Sequence, residues 1–429
     1  MTTNRSQPLP HRFAWSAVPL LCLLLLLGGC DEGELLPPDP EAGDLFARYV
    51  ALGNSITAGF QSDGINAETQ AEAYPVLLAQ QMGHEVGETF NIPALAPPGC
   101  PPPLTNVFTG ERRGDEACEL REQPVPTTIH NVAVPGAALA DVLTNDVNED
   151  ANPNALTTLI LGGRTQLEAA AEAQPTFVSV WIGNNDVLGA ALSGTAVEGT
   201  TFTPPSTFEQ GYETLRDRLQ ALEAEGGVLV GVANVTLIPY LSPGAAYFAA
   251  AQEEALPESF EVADTCAPAS LGGVGESTLV PFGYGFGFLL PAAQAGTPVT
   301  LDCTDDRPLA EIYGPENVPG ALAAYSILTE EEIAELAAAV QAYNTAIASA
   351  ADDLGWAYVD PNALFEREEI AAQLPPFPNL SNPDQPFGPF FSLDGVHPSR
   401  EGHALVAEAL IQAINEAYGT EIPPASEAQ

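Results

Sequence analysis

Apolar and polar positions along the chain fall into two alternating textures. Short, nearly unbroken apolar runs occur at residues 49–53, 131–134, 177–182, 228–235 and 357–360, and runs of this length read as buried strands. Between them lie stretches with an apolar residue every three or four positions, as at 207–225 and 329–353, the spacing of helices with one buried face. Strands alternating with helices predict an α/β domain with a five-stranded parallel sheet covered on both faces. Ligands of such sheets bind beyond the carboxyl ends of the strands. The residues that follow each apolar run are therefore the first place to look for chemistry.

Two stretches break the alternation. Residues 93–128 contain Pro97-Pro98 and Pro101-Pro102-Pro103, and residues 240–325 carry Gly283-Tyr284-Gly285-Phe286-Gly287-Phe288 near their centre. Irregular loops of such length are uncommon inside a domain and often functional. Both are read as insertions in a single domain covering 46–418, with 419–429 as a tail. The second insertion follows the fourth run and is rich in rings, including Tyr247, Phe248, Phe282, Phe286 and Phe288. It is expected to line a ligand pocket as a glycine-hinged lid; the alternative is a small satellite core under a surface loop.

Residues 1–29 have a different texture again. Arg5 and Arg12 accompany an apolar stretch, 13–27, that is too short to span a bilayer comfortably, and Leu27-Gly28-Gly29-Cys30 follows. This is the order of an export signal. Its last four residues resemble a bacterial lipobox, which implies cleavage before Cys30 and lipidation of that thiol. An ordinary secretory signal and a transmembrane anchor are the alternatives. Residues 30–45 are acidic and Pro-rich, as suits a tether. The expected location is a bacterial cell envelope, on its periplasmic or outer-surface side, with the membrane engaged through the N-terminal lipid.

Composition narrows the partners. The chain has 57 acidic residues against 12 basic ones, all of them Arg, for a net charge of −45. Such a field repels phosphate backbones and excludes nucleic acid. Charge of this density suits a solvated surface, and more sharply adaptation to high salt, where screening relaxes the self-repulsion. Six Cys are present. With Cys22 removed in the signal and Cys30 assigned to lipid, four remain, an even number in an exported chain, where disulfides persist. Three pairings are possible. Cys100 with Cys118 and Cys266 with Cys303 is favoured, because each pair brackets an irregular Pro/Gly-rich stretch. Metal ligation is the alternative, although no CxxC spacing occurs.

The candidate chemistry sits where the strand-like runs end. Gly53-Asn54-Ser55 follows the first run and puts a hydroxyl on a tight turn beside exposed N–H groups. A Ser hydroxyl becomes a nucleophile only when a base takes its proton, and the attacked carbonyl needs donors for its oxyanion. Of the five His, His11 leaves with the signal, while His84, His130 and His403 have settings that suit structural roles. Only His397 has a carboxylate three residues before it, Asp394, able to orient the ring and stabilise the imidazolium. Gly136, after the second run, allows close approach of backbone to ligand. Gly183-Asn184-Asn185-Asp186, after the third, offers an Asn amide to the oxyanion. A stretch starting Asp146-Val147-Asn148-Glu149-Asp150 opens like a calcium loop, but Ala151 and Thr157 stand where Gly and Glu are required, so no metal is expected there.

In this order the segments resemble the SGNH/GDSL hydrolase family. Ser55 matches its block I nucleophile, Gly136 the block II oxyanion glycine, Asn185 the block III asparagine, and Asp394 with His397 block V. Matching segments stretch from about residue 48 to 418, outside the two insertions. One residue departs from the pattern, Asn54 standing where the name-giving Asp would be; that Asp takes no part in proton transfer. The resemblance implies a three-layer α/β/α sandwich of flavodoxin-like kind, without metal or organic cofactor, and a small-molecule or lipid ester as substrate. It implies a serine esterase or lipase, with catalytic Ser55, His397 and Asp394 and an oxyanion hole of Ser55, Gly136 and Asn185. A carbohydrate O-deacetylase with the same residues is the alternative enzyme. A non-catalytic surface lipoprotein using the fold to bind is the alternative from another class.

Overall fold

A computed structural model of the chain describes residues 45–114, 121–144 and 155–425, all within one compact unit, Glu41–Gln429. Four strands form the main sheet: β1 (Tyr49–Gly53), β2 (Phe177–Trp181), β3 (Gly226–Val230) and β4 (Ala357–Val359). They lie side by side in the order β1-β2-β3-β4, every pair parallel. The sheet thus has four strands where five apolar runs predicted five. Residues 131–134 do run along β1, with Val132 N–H donating to Ala51 O at 2.9 Å and Val134 N–H to Gly53 O at 3.1 Å. Their ladder pairing is limited to Ala51 with Asn131. Asn131 turns its side chain back to accept from Ala133 N–H, and Pro135 ends the run, so the segment is a bonded edge without a strand's regular extension.

Alternation along the strands decides the layers. Val50, Leu52, Val178 and Val180 face one side with Phe208, Tyr212, Leu336 and Tyr343. Tyr49, Ala51, Phe177 and Val228 face the other with Tyr74, Leu78, Val406 and Leu410. Side chains of a strand point alternately up and down, so an unbroken apolar run has to be covered twice. On the second face lie α1 (Tyr74–Gln81) and α7 (Arg400–Tyr418); on the first, α5 (Pro205–Gln220) and α6 (Glu330–Leu354), with α2 (Leu139–Leu143), α3 (Gln166–Ala173) and α4 (Asn185–Ser193). α6 begins with a capping box, Thr329 with Glu332, and stops at the left-handed Gly355, the start and stop that its sequence signals. The result is a three-layer α/β/α sandwich.

The second insertion is neither structureless nor open. It contains a two-stranded antiparallel pair, Leu241–Pro243 with Leu279–Pro281, and a parallel one, Phe260–Val262 with Val299–Leu301. Cys266 and Cys303 form a disulfide across it. Tyr247, Phe282, Phe286 and Phe288 are buried together, with Phe387. They form the satellite core, in which rings from separate points of the chain pack against one another. The proposed export signal and lipid site (1–29 and Cys30), most of the tether, Cys118 of the other expected disulfide, and residues 146–151 of the rejected calcium loop lie outside the described residues. Among the described residues, no helix is long and apolar enough to cross a membrane, and no three His, Cys, Asp or Glu gather as a metal site.

Candidate active site

The register of β1 against β2 pairs Gly53 with Trp181, so the residues following these strands emerge on one edge of the sheet. Gly53 has no room for a side chain: a Cβ there would lie 2.6 Å from Trp181 O and 2.2 Å from Thr57 Oγ1. Its peptide groups are held by one side chain. Gly53 N–H donates to Gln166 Oε1 at 2.8 Å, and Gln166 Nε2 donates to Gly53 O at 2.9 Å. Asn54 then caps the short turn Ser55–Ala58, its Oδ1 accepting from Ile56 N–H. Asn54 therefore performs the capping task open to either Asn or Asp at that position. Ser55 is left nearly buried, 7 % exposed, at the carboxyl edge of the sheet.

His397 arrives from the segment just before α7. Its Nε2 lies 2.8 Å from Ser55 Oγ and its Nδ1 2.9 Å from Asp394 Oδ2. A carboxylate can only accept, so Nδ1 carries a proton, and in the neutral ring the lone pair of Nε2 faces the hydroxyl. Asp394 Oδ1 also accepts from the N–H groups of Val396 and His397, both at 2.8 Å, and Oδ2 from Asp63 N–H at 2.7 Å. Burial by itself would raise this carboxyl. Attraction to His397 and the hydrogen bonds from His397 and Asp63 outweigh it and bring the pKa down to about 2. Phe60 packs on the imidazole with ring centroids 4.9 Å apart.

Asn185 opens α4 on the same edge, and its Nδ2 donates to Ala137 O at 2.8 Å. Asp186 beside it accepts from Leu139 N–H and from Thr203 Oγ1. Burial raises Asp186 to about 6 against those two donors. Together the two side chains tie the loop holding Gly136 to the start of α4. Gly136 is exposed, with a φ of +81° that disfavours a side chain. The other three His among the described residues stand apart from this arrangement. His84 bonds to Phe46 O, and His130 accepts from Asn91 N–H. His403 is fully buried, accepting from Tyr74 N–H, and burial with the nearby His397 lowers it to about 3.

Two cavities adjoin these residues. One, of about 350 Å³ including its open mouth, is lined by Ser55, Asn184, Asn185 and His397. The other, of about 600 Å³ including its open mouth, is walled by Trp181, Leu364, Phe365, Ile370, Phe390 and Phe391. Ile56, Ala233, Ile238 and Val396 line both, so the apolar cavity continues from the edge that carries Ser55. No ring of the second insertion lines either one.

The sequence matches the family model for GDSL-like lipase/acylhydrolase over residues 49–410. The chain belongs to this family. As a GDSL-type hydrolase it is an enzyme that acts on ester bonds. No curated protein matches the chain in sequence. Among solved structures, LAE5, an α/β hydrolase enzyme from the metagenome of Lake Arreo in Spain, aligns over 87% of this chain and 98% of its own, at 13% identity and a TM-score of 0.37. An extracellular lipase from Streptomyces rimosus and a phospholipase A1 from Streptomyces albidoflavus NA297 each align over 86% of this chain and 99% of their own, at 15% identity and a TM-score of 0.33. The GDSL-type hydrolase differs from its sequence reading in what surrounds the five site residues. Gln166, Phe60, the Asp63 N–H and the cavity wall at 364–391 had no local motif to announce them. A Gln in a helix or an Asp in a turn is ordinary until the fold brings it to the site.

Proposed function

We propose that this GDSL-type hydrolase cleaves carboxylic esters with an extended apolar acyl group by a Ser-His-Asp mechanism, with Ser55 as nucleophile. The observation that carries this reading is the unbroken hydrogen-bonded line from Ser55 Oγ through both nitrogens of His397 to Asp394. His397 Nε2 takes the Ser55 proton as Oγ bonds to the ester carbonyl carbon, and ionised Asp394 stabilises the imidazolium. The oxyanion is held by the N–H groups of Ser55 and Gly136 and by the Asn185 amide. Collapse expels the alcohol, which takes the proton from Nε2. Water then repeats the sequence on the acyl-enzyme, and the acid departs. The cavity walled by Phe365, Phe390 and Phe391 favours this substrate over acetylated sugars, because an acetyl group would leave its apolar wall wet. The enzyme acts outside the cytoplasm, as the head of a lipoprotein tethered through Cys30.

Ser55→Ala and His397→Ala should each lower turnover of a p-nitrophenyl ester by on the order of 10⁴–10⁶-fold. Asn185→Ala should lower it by about 10²–10³-fold, the usual loss for one oxyanion donor. A fluorophosphonate probe should label Ser55 in the native enzyme. Wild-type turnover in Ser55→Ala sinks the mechanism, and a native protein that neither labels nor turns over esters is a binding module. Mass spectrometry of the mature N-terminus tests the anchor; an unmodified Cys30 or cleavage elsewhere removes it.

A further inference from the structure

The first insertion grips the residue that orients the histidine. Residues 61–64 make a tight reversal in which Gln61 N–H donates to Gly64 O and Gly64 N–H to Gln61 O. Its two central residues, Ser62 and Asp63, have φ of +56° and +50°. Two consecutive left-handed residues are what a primed hairpin turn demands and what Asn-Gly usually supplies. Asp63 tolerates this conformation, but Ser62 has no preference for it, so the pair is held there by constraint. The constraint comes from two sides.

On one side is the segment carrying Asp394. Ser62 N–H donates to Ser392 Oγ at 2.8 Å, Leu393 N–H donates to Ser62 Oγ at 3.2 Å, and Asp63 N–H donates to Asp394 Oδ2 at 2.7 Å. On the other side is the first insertion. Leu104 N–H donates to Ser62 O at 2.7 Å, and Gly64 packs so closely on the prolines that a Cβ would lie 2.4 Å from Pro103 N. Arg112, in a hairpin strand of the insertion (Glu111–Arg112), closes the clamp. Its Nη1 donates to Asp63 O at 2.6 Å and to Pro102 O at 2.8 Å, and its Nη2 pairs with the Asp63 carboxylate.

We propose that Arg112 is a positioning residue for the ester-cleaving site, holding Asp63 left-handed so that its backbone N–H aims at the same Asp394 oxygen that receives His397 Nδ1–H. The inference rests on the proposed roles of Ser55, His397 and Asp394. A carboxylate oxygen with two donors at fixed angles cannot rotate away from the imidazole, and the ring stays aimed at Ser55. A planar guanidinium suits the task because its donors reach two carbonyls and a carboxylate at once, which an ammonium would not do with comparable geometry. The Arg112–Asp63 pair is itself partly exposed, with side chains 29% and 54% accessible, so its loss should disturb aim far more than stability.

The test compares side chains at Asp63 and Arg112 in the full-length enzyme, with Ser55→Ala as the control. Arg112→Ala should lower kcat on a soluble p-nitrophenyl ester by about 10–100-fold, the scale of a small misplacement of reacting groups. KM should stay within about twofold, and the fluorophosphonate labelling rate should fall in step with kcat. Asp63→Asn and Asp63→Val both remove the charge, but Asn tolerates the left-handed conformation and a β-branched residue does not. Asp63→Asn should therefore stay within about threefold of wild type in kcat, with Asp63→Val falling like Arg112→Ala. If Arg112→Ala fails to fold, the Asp63 pair decides alone. Wild-type kcat in Arg112→Ala, or equal losses in Asp63→Asn and Asp63→Val, overturns the clamp while an inactive Ser55→Ala leaves the catalytic reading standing. An active Ser55→Ala brings down that reading first.

Discussion

Asp394 links the stability of this protein to acid. Its folded pKa of about 2 lies below the ordinary 3.8. The carboxylate's contribution to stability is thus fully present above about pH 4 and is lost as pH falls through 2; the linkage amounts to about 2 kcal/mol. Asp394→Asn should lower the melting temperature at neutral pH and flatten its decline between pH 4 and 2. A variant whose acid decline matches wild type would show that other carboxylates dominate there. Asp186 acts with the opposite sign. Burial raises it to about 6, so its contribution is present below about pH 4 and is lost as pH rises through 6. Asp394 and Asp186 therefore pull the pH profile in opposite directions, one through His397 and its hydrogen bonds, the other through desolvation.

Among the elements, the two aromatic clusters divide the labour differently from what their sequence positions suggest. The rings of 240–325 close on one another around Tyr247 and Phe286, whereas the apolar cavity that continues from the Ser55 edge is walled by the stretch after β4, including Phe365 and Phe391. Phe365→Ala should enlarge that cavity and shift preference toward longer p-nitrophenyl esters, and Phe365→Trp should shift it toward shorter ones. Phe286→Ala should instead cost about 3–5 kcal/mol of stability, the usual range for a buried ring, with an unchanged chain-length profile. Melting curves and a chain-length series on the three variants separate the two roles. A profile altered by Phe286→Ala and not by Phe365→Ala would return the acyl pocket to the insertion.

On the scale of the whole molecule, charge sets the terms. A net −45 spread over a surface with no Lys leaves most carboxylates without a cation, and the ion pairs that do form are largely exposed, as in Arg113 with Glu68 and Arg367 with Glu369. Such pairs contribute little each, while the summed repulsion reaches across the molecule and is screened by counterions. The melting temperature should rise, or at least hold, as NaCl is taken from low to molar concentration. A steady fall over that range rules out adaptation to salt. The Arg112–Asp63 clamp is less exposed to this effect, since two of Arg112's hydrogen bonds go to neutral carbonyls rather than to a carboxylate.

Four strands, the two long helices α5 and α6 and the candidate site residues that follow β1 and β2 were legible in the sequence because each is a local matter. A strand buried on both faces must be apolar throughout, a helix with one dry face must repeat every three or four residues, and a glycine turn after a strand marks itself. Asp394 and His397 were legible for the same reason, sitting three residues apart. The sheet's strand count was not, because whether 131–134 becomes a strand depends on where Asn131 turns its side chain. Nor was the wall of the apolar cavity, since Phe365 and Phe391 look in sequence like any other rings. The grip on Asp394 lay furthest from view: Asp63 and Arg112 stand 331 and 282 positions away from it. Local pattern determines which segments can form and which chemistry they carry. Which distant backbone N–H completes a carboxylate's shell is decided only when the chain has packed, because no local energy distinguishes that turn from any other.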